Sequence, residues 1–298
     1  MTQPPLPIIQ SIPHGGLGVP PQVFGRLGIS ATAIYNECDL WVDPLFDFAH
    51  PDLAGLHEQT GYAGSLSVTS LGIARALIDA NRFPDDLDNP DGPVKSRTSY
   101  GQEIYTVPLD RAEKAALRDH HWGGYHQRLA QAMDDHGADC RLFLDCHNMA
   151  QVGPSAYAFA GATRPKICLS NYGNLAGEPR DAQTPLSCPA WFIQAAAGLA
   201  EEIFADLLML EPQAGPDGQP VDVPTVAINW PFHGGYILKK YATGAPFGLM
   251  VEVNRGLYVG NQTPETPITH PNLPAIAAIR ERMFRWVVGL LDLGSAQE

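Results

Sequence analysis

Short apolar runs recur along the chain and predict the strands of a buried sheet. The runs span four to six residues and are bounded by turn-forming residues, as is typical of strands that pack on both faces. The predicted strands are Pro7–Ile12, Leu66–Thr69, Leu142–Cys146, Tyr157–Ala160, Thr225–Ile228 and Leu249–Val253.

Between these runs lie three longer segments whose apolar residues recur every three or four positions. That spacing places the apolar side chains on one face of a helix. Strands that alternate with helices predict an α/β fold, with a mixed, mostly parallel sheet flanked by helices. Since 298 residues suit one large α/β unit, we expect a single domain over residues 1–298. The predicted helices are Arg111–His136, Pro189–Leu210 and Leu273–Leu291.

Two segments show neither the apolar runs of strands nor the apolar spacing of helices, and we predict that both are long loops. They are Phe83–Gln102, rich in Pro, Asp and Gly, and Glu211–Pro224. The first follows directly after Asn81 and Arg82. It therefore has two interpretations, a loop that covers a substrate or an ordinary surface loop.

The charge balance narrows the range of partners. Lys and Arg total 19 against 32 Asp and Glu, which gives a formal net charge of −13. Because nucleic acids and anionic membranes need a basic surface, we expect neither as a partner. An acidic protein that binds an anionic substrate must concentrate its few cations at the site, so each arginine beside a motif is informative.

Cysteine usage and the first residues predict a cytoplasmic location. The five cysteines form no C-x-x-C pair, and an odd number fits reduced thiols better than a disulfide framework. The N-terminal residues lack the basic and apolar stretches of a signal peptide, and no apolar run is long enough to span a bilayer.

Two histidines follow predicted strands directly. His14 lies in SIPHGG and His147 in FLDCHNM, and ligands in open α/β sheets bind beyond the carboxyl ends of strands. Strand alternation puts Asp145 on the same face as His147, where a carboxylate could orient a metal-bound imidazole. The alternatives are a plain turn around His14 and a histidine that only caps a strand.

A carboxylate is the third component of a candidate metal site. Glu37, Asp39 and Asp43 begin a helix-like stretch, where acids ordinarily cap helices. Zinc hydrolases, however, use two imidazoles and one carboxylate and keep a fourth position for water, and either Glu37 or Asp39 could complete that set. Cys38 and Cys146 stand beside better ligands and point the other way, so we expect both in the core.

Charged side chains interrupt two further apolar segments. Glu252 lies within a predicted strand, so it either pairs with a cation such as Arg255 or lies in a functional cleft. Arg75 and Arg82 flank Asp79 and Asn81, and a planar guanidinium binds a carboxylate at two points. On a surface helix the same spacing would give a solvated face.

Together these segments resemble the N-formylglutamate amidohydrolase family, whose phosphorylase/hydrolase-like fold is related to zinc carboxypeptidases. The resemblance runs in order from Ser11 to Tyr258. Two residues depart from the family pattern: Ala80 replaces a Leu before Asn-Arg, and Glu37 replaces an Asp. The resembling segments are SIPHGG, ECDLWVDPLF, ARALIDANR, FLDCHNM, NWPFHGGYI and VEVNRGLY.

The resemblance implies one zinc ion per chain, bound by two histidines and a carboxylate. It implies His14 and His147 as ligands, with Asp39 as the favoured carboxylate and Glu37 as the alternative. Glu252 would be the general base, and Arg82 would also act in catalysis. The implied substrate-binding residues are Arg75, Asn81, Arg82, His233 and Arg255.

The implied reaction is hydrolysis of a small anionic N-acyl amino acid. N-formyl-L-glutamate would give formate and L-glutamate, a step of histidine degradation. Two alternatives stay open: a zinc hydrolase for another N-acyl amino acid or a γ-glutamyl peptide, and a non-catalytic protein that binds zinc and carboxylates.

The G-x-S-x-G elbow of a serine hydrolase and the G-x-G-x-x-G turn of a dinucleotide-binding enzyme are both missing from the sequence. The sequence leaves the oligomeric state and the physiological metal open.

Overall fold

Six strands form one mixed sheet at the centre of the computed structural model, which describes residues 3–213 and 219–295. The strands are β1 Leu6–Ile12, β2 Ser65–Ser70, β3 Leu142–Met149, β4 Ile167–Ser170, β5 Val226–Ile228 and β6 Phe247–Asn254. Their order in the sheet is β2-β1-β3-β6-β4-β5. The first four run parallel, while β4 is antiparallel to β6 and parallel to β5. The predicted α/β class with a mixed, mostly parallel sheet is confirmed.

Helices flank the sheet on both faces. A π-helical segment, Arg118–Trp122, joins two of them into the continuous helical run that the periodicity predicts over Arg111–His136. No helix among the described residues is long and apolar enough to cross a bilayer. The α-helices are α1 Ala31–Glu37, α2 Val42–Leu45, α3 Ala54–Thr60, α4 Arg111–Leu117, α5 Gly123–His136, α6 Ala190–Phe204, α7 Tyr236–Tyr241 and α8 Leu273–Ser295, and the short 3-10 helices are Pro21–Arg26, Pro51–Leu53 and Arg255–Leu257.

Five of the six predicted strands are confirmed, with ends that differ by one to three residues. The strand predicted at Tyr157–Ala160 is wrong. Those residues form turns, because Gly153 N–H donates to Ala162 O and Gly161 N–H donates to Gly153 O, which closes a short loop over them. The strand that pairs with β6 begins later, at β4.

The remaining predictions for elements hold with adjusted ends. The helix predicted over Pro189–Leu210 ends at Phe204, and the helix predicted at Leu273 continues to Ser295. Phe83–Gln102 contains no helix or strand, as expected of a loop, but Pro93, Val94 and Lys95 within it are buried. Of the predicted loop Glu211–Pro224, residues 214–218 lie outside the described residues.

Two apolar clusters cover the two faces of the sheet. One cluster packs β1, β3 and β6 against α2, α6 and α8, and it includes the fully buried Trp286. The other lies beneath α5 and α7, where Ile9, Phe143 and Met250 project from the same three strands. The three central strands are therefore fixed on both sides, which makes their carboxyl ends a rigid platform.

Candidate active site

The carboxyl ends of β1, β3 and β6 bring most of the predicted site residues together. Since side chains alternate along a strand, the face that is apolar beneath α5 becomes polar two positions further on. The strand register places Ser11 opposite Asp145 and His147 opposite Glu252. His14 follows β1 directly and is buried.

Three ligand-type atoms converge beyond these strand ends. The Nδ1 atoms of His14 and His147 lie 3.1 Å apart. Asp39 Oδ2 lies 3.1 Å from the Nδ1 of His147 and 3.5 Å from that of His14. Asp39 reaches this point because its backbone N–H donates to His14 O across 3.0 Å. Among the described residues these three form the one group with the spacing of a metal site.

The opposite nitrogens of both imidazoles face buried carboxylates. His14 Nε2 lies 2.8 Å from Asp79 Oδ1, and His147 Nε2 lies 3.2 Å from Asp145 Oδ1. Both carboxylates are fully buried. Carboxylates in this position fix the tautomer of metal-binding histidines by accepting the Nε2 proton, which leaves Nδ1 as a lone-pair donor.

The donor set fits a divalent cation. When both imidazoles are neutral and donate their Nε2 protons to carboxylates, two Nδ1 lone pairs and the Asp39 carboxylate face one another at 3.1 to 3.5 Å. Tetrahedral zinc, with bonds of about 2.0 to 2.1 Å, separates its ligand atoms by about 3.3 Å. A cation at the centre would replace this repulsion with three bonds.

The two imidazoles beside Asp39 favour its ionised form. Burial alone would raise the pKa of its carboxyl group, but contacts with His14 and His147 hold that pKa well below its usual range. The pKa of His147 rises well above its ordinary value, since Asp145 and Asp39 outweigh the effect of burial. The pocket thus favours positive charge between the two imidazoles.

Glu37, the alternative carboxylate, is directed away from the imidazoles. Its two carboxylate oxygens accept hydrogen bonds from the backbone N–H and the hydroxyl of Ser99, at 2.9 to 3.0 Å. Ser99 belongs to the predicted loop Phe83–Gln102, so Glu37 ties that loop to the segment that carries Asp39. Of the two acids, Asp39 is the one beside both histidines.

Glu252 lies beside this cluster with its carboxylate unpaired. It forms no hydrogen bond or ion pair with any residue that the structure describes, including Arg255, and only 7% of it is exposed. Burial, together with the nearby negative charge of Asp39, raises the pKa of Glu252 to about 8, although His147 opposes the shift. A carboxyl group with a pKa near neutrality can both accept and donate a proton in the working pH range.

Four of the five predicted substrate-binding residues already have side-chain partners in the protein, Arg82 and Asn81 among them. Arg82 binds Asp91 through Nη2 at 2.8 Å and through Nε to the Asp91 carbonyl at 3.0 Å. The Asn81 amide donates to Asp145 Oδ2 at 3.2 Å, and its oxygen accepts from the Ile237 N–H at 2.9 Å. Asn81 therefore links β3, α7 and the 79–82 segment.

The other three are positioned differently from one another. Arg255 is buried, and its Nη1 donates to the carbonyls of Asn36 and Cys38, so it supports the segment before Asp39. Arg75 donates through Nε to Asp79 Oδ2 at 3.3 Å and lines the cavity. His233 lies exposed at the cavity rim, where burial of part of its ring lowers its pKa.

A cavity of about 420 Å³ opens over the cluster. Glu252 and the three clustered ligand-type residues line its floor, while Tyr157, Phe159 and Tyr172 contribute aromatic side chains to its wall. The predicted loop Phe83–Gln102 contributes Ser99 and Tyr100. Its buried residues and its bond to Glu37 make it a fixed wall.

Sequence reasoning missed three residues of this site. Asp79 was interpreted only as part of an arginine-rich segment, although it is the partner of His14. Ser99 and Arg164 lie in segments without a recognisable motif, and both line the cavity. For Arg164, the one available signal in the sequence was that arginine is rare in this acidic chain.

A model of the N-formylglutamate amidohydrolase family matches residues 6–259, most of the chain. This chain belongs to the N-formylglutamate amidohydrolase family. The match includes all three clustered residues, Glu252 and the arginines around the cavity. No curated protein matches the chain at a significant level.

Solved structures show the same fold as this family member. N-formylglutamate amidohydrolase from Ralstonia eutropha JMP134 aligns with a TM-score of 0.65 at 17% identity, covering 99% of this chain and 96% of that one. A gene product of Agrobacterium tumefaciens aligns with a TM-score of 0.57 at 17% identity, covering 98% of this chain and 92% of that one. At these identities the likeness concerns the fold alone.

Proposed function

We propose that this member of the family is a metal-dependent hydrolase that converts N-formyl-L-glutamate and water into formate and L-glutamate. The observation that carries the proposal is the convergence of His14 Nδ1, His147 Nδ1 and Asp39 Oδ2 beside an unpaired, buried Glu252. The family match supports the reaction class and the amide that is cleaved.

We assign the metal position to His14, His147 and Asp39, with zinc as the expected ion. A bound divalent cation would supply Lewis-acid polarisation of the amide carbonyl and a lowered pKa for a coordinated water. Asp79 and Asp145 would hold the two imidazoles in the required tautomer.

Glu252 is the proposed general base and then the general acid. Its carboxylate takes a proton from the attacking water and delivers that proton to the leaving amide nitrogen. The pKa of about 8 in the metal-free site suits both steps, and a nearby cation would lower it toward neutrality. Because Glu252 has no partner among the described residues, no hydrogen bond must be broken before the transfer.

Arginines are the proposed ligands of the substrate's negative charge. Arg75 reaches the cavity from Asp79, next to the proposed metal position, and would donate to the carbonyl oxygen as charge develops there. Asp91 occupies Nε and Nη2 of Arg82 and leaves its Nη1 for a substrate carboxylate. Asn81 would act by orienting these two arginines. His233 would contact the substrate at the rim of the cavity.

A cytoplasmic location is part of the proposal. All five cysteines are free and buried, which agrees with a protein that does not depend on disulfides.

The test is formate release from N-formyl-L-glutamate by zinc-loaded protein. Chelated protein and the Glu252→Gln variant serve as controls, and metal content is measured for each. We expect release that both controls abolish, while Glu252→Gln keeps one metal per chain. If the loaded protein binds metal but releases no formate, this substrate is excluded, and a panel of other N-acyl amino acids and γ-glutamyl peptides identifies the amide or shows a binding protein without turnover.

A further inference from the structure

Arg164 differs from the other arginines that line the cavity in being buried with few protein partners for its donors. Arg255 is equally buried and also has no carboxylate of a described residue within 4.0 Å, but its Nη1 donates to Asn36 O, Cys38 O and Gln262 Oε1. Arg75 pairs with Asp79, Arg82 pairs with Asp91, and Arg180 is exposed. Arg164 is only 6% exposed, yet no carboxylate of a described residue lies within 4.0 Å of its guanidinium. A buried cation without a counter-ion is costly, so its retention calls for a function.

The contacts of Arg164 hold the side chain in place but leave donors unused. Its Nη1 makes one long hydrogen bond, 3.5 Å to Ala150 O, and its guanidinium carbon lies 4.9 Å from the ring centre of Phe232. No acceptor among the described residues reaches its Nε or Nη2. Neither nitrogen is fully buried, and the side chain lines the cavity.

The surrounding charges leave the guanidinium short of negative partners. Burial lowers the pKa of Arg164 to about 10, Glu252 partly offsets this, and Arg255 and Arg75 lower it further. An anion placed between these cations would relieve their repulsion and complete the hydrogen bonds of Arg164. A planar guanidinium with two free donors matches a carboxylate in charge and geometry.

We propose that Arg164 is a specificity-determining residue that binds one of the two carboxylates of an acidic N-acyl amino acid. This inference rests on the proposed function, because it names the group by which that site selects its substrate. Arg75 and Arg82 already lie beside Asp79, whereas Arg164 has no carboxylate partner among the described residues. The cavity thus offers more than one cation, which suits a dicarboxylate.

The first test compares Arg164→Met with wild type on three substrates. They are N-formyl-L-glutamate and its two mono-amides, N-formyl-L-glutamine and N-formyl-L-isoglutamine. We expect kcat/KM for the dicarboxylate to fall roughly 10- to 150-fold, mainly through KM, as for a lost hydrogen bond to a charged group. One mono-amide should fall equally, while the mono-amide that lacks the bound carboxylate should be unaffected.

Two variants separate this role from structural effects. Arg164→Lys keeps the charge without the planar fork and should retain part of the activity, whereas Arg97→Met removes an exposed arginine and should behave as wild type. Thermal unfolding of Arg164→Met should occur at or above the wild-type temperature, since a buried unpaired charge is removed. Equal loss with all three substrates, or no loss with any, would overturn the proposal.

A binding measurement keeps the inference separate from the choice of substrate. Calorimetric titration of zinc-loaded protein with L-glutamate should give binding that Arg164→Met weakens and Arg97→Met retains. If N-formyl-L-glutamate is not cleaved but this pattern holds, the proposed reaction fails and the carboxylate site stands. No binding by wild type, or equal binding by both variants, would exclude the carboxylate site.

Discussion

At the scale of single residues, environment separates the roles of buried acids that lie within one site. Asp79 accepts a hydrogen bond from His14 Nε2, and Asp39 lies beside both imidazoles. These contacts hold both pKa values well below their usual range despite burial. Glu252 is buried without such contacts, so its pKa rises to about 8. Such divergence is typical of sites where one acid orients or binds and another transfers protons.

The raised pKa of Glu252 predicts a pH-dependent cost to stability in the metal-free protein. The folded state binds the Glu252 proton more tightly than the unfolded state, so stability falls as pH rises from the ordinary value of 4.5 to about 8. Glu252→Gln removes this dependence. We expect urea denaturation to show that the free energy of unfolding of the variant, relative to that of wild type, increases by at least about 1 kcal/mol from pH 5 to pH 8. An unchanged difference across that range would contradict the raised pKa.

The two acids of the Glu37-Cys38-Asp39 segment should respond differently to loss of charge. Asp39→Asn removes the carboxylate beside both imidazoles, so we expect metal content after dialysis to fall far below one per chain. Glu37→Gln alters only the contact with Ser99 and should keep a full metal equivalent. Metal analysis of the two variants decides which acid binds, and the opposite pattern would reverse the assignment.

At the scale of elements, a helix and a loop hold the substrate-facing 79–82 segment from opposite sides. Trp122, at the end of the π-helical segment, donates through Nε1 to Arg82 O, and His126 Nε2 lies 2.9 Å from Ala80 O. From the loop Phe83–Gln102, Asp91 binds both Arg82 and the fully buried Lys95. Elements that lie outside the sequence motifs of the site thus hold it in place.

Removal of the Asp91 charge should destabilise the protein through Lys95. The buried ammonium would lose its one carboxylate partner among the described residues, and breaking such a pair leaves an uncompensated buried charge. Because Asp91 is partly exposed, we expect a loss of about 2 kcal/mol in unfolding free energy for Asp91→Asn, measured by urea denaturation.

A matched control lies on the same loop. Asp88 pairs with Arg111 at the surface, where both side chains are exposed, so Asp88→Asn should change stability by less than about 0.5 kcal/mol. Equal losses from both variants would show that Lys95 does not depend on Asp91.

At the scale of the whole molecule, the proposed metal position joins parts of the chain that are far apart in sequence. His14 follows β1, Asp39 follows α1, and His147 lies in β3, so an ion bound to all three would link two neighbouring strands to the segment after α1. The unfolded chain has no such arrangement of donors. Binding would therefore favour the folded state.

Metal removal should lower the thermal stability of the entire fold. Ligand at 100 times its dissociation constant stabilises by about 2.7 kcal/mol, which for a chain of this size is a shift of a few degrees. We expect differential scanning fluorimetry to give a higher unfolding temperature with zinc than with chelator for wild type and Glu252→Gln. Asp39→Asn should respond little, and an equal response by all three proteins would point to binding elsewhere.

The sequence alone determined the fold class, most of the strands, and the identity of the residues at the strand ends. These features follow from local periodicity, since apolar spacing reports which face of an element is buried, and His14, His147 and Glu252 interrupt that spacing. The turn at Tyr157–Ala160 escaped this reasoning, because an apolar run does not reveal the hydrogen bonds between Gly153, Ala162 and Gly161 that close it into a loop.

Only the tertiary structure decided which side chains meet. Whether Glu37 or Asp39 faces the imidazoles depends on Ser99, some 60 residues away, which binds Glu37. The partnership of Asp79 with His14 and the unpaired state of Arg164 likewise arise from contacts between distant segments. Charge and hydrogen-bonding capacity are properties of the residue, but pairing and desolvation, which set its chemistry, are properties of the folded arrangement.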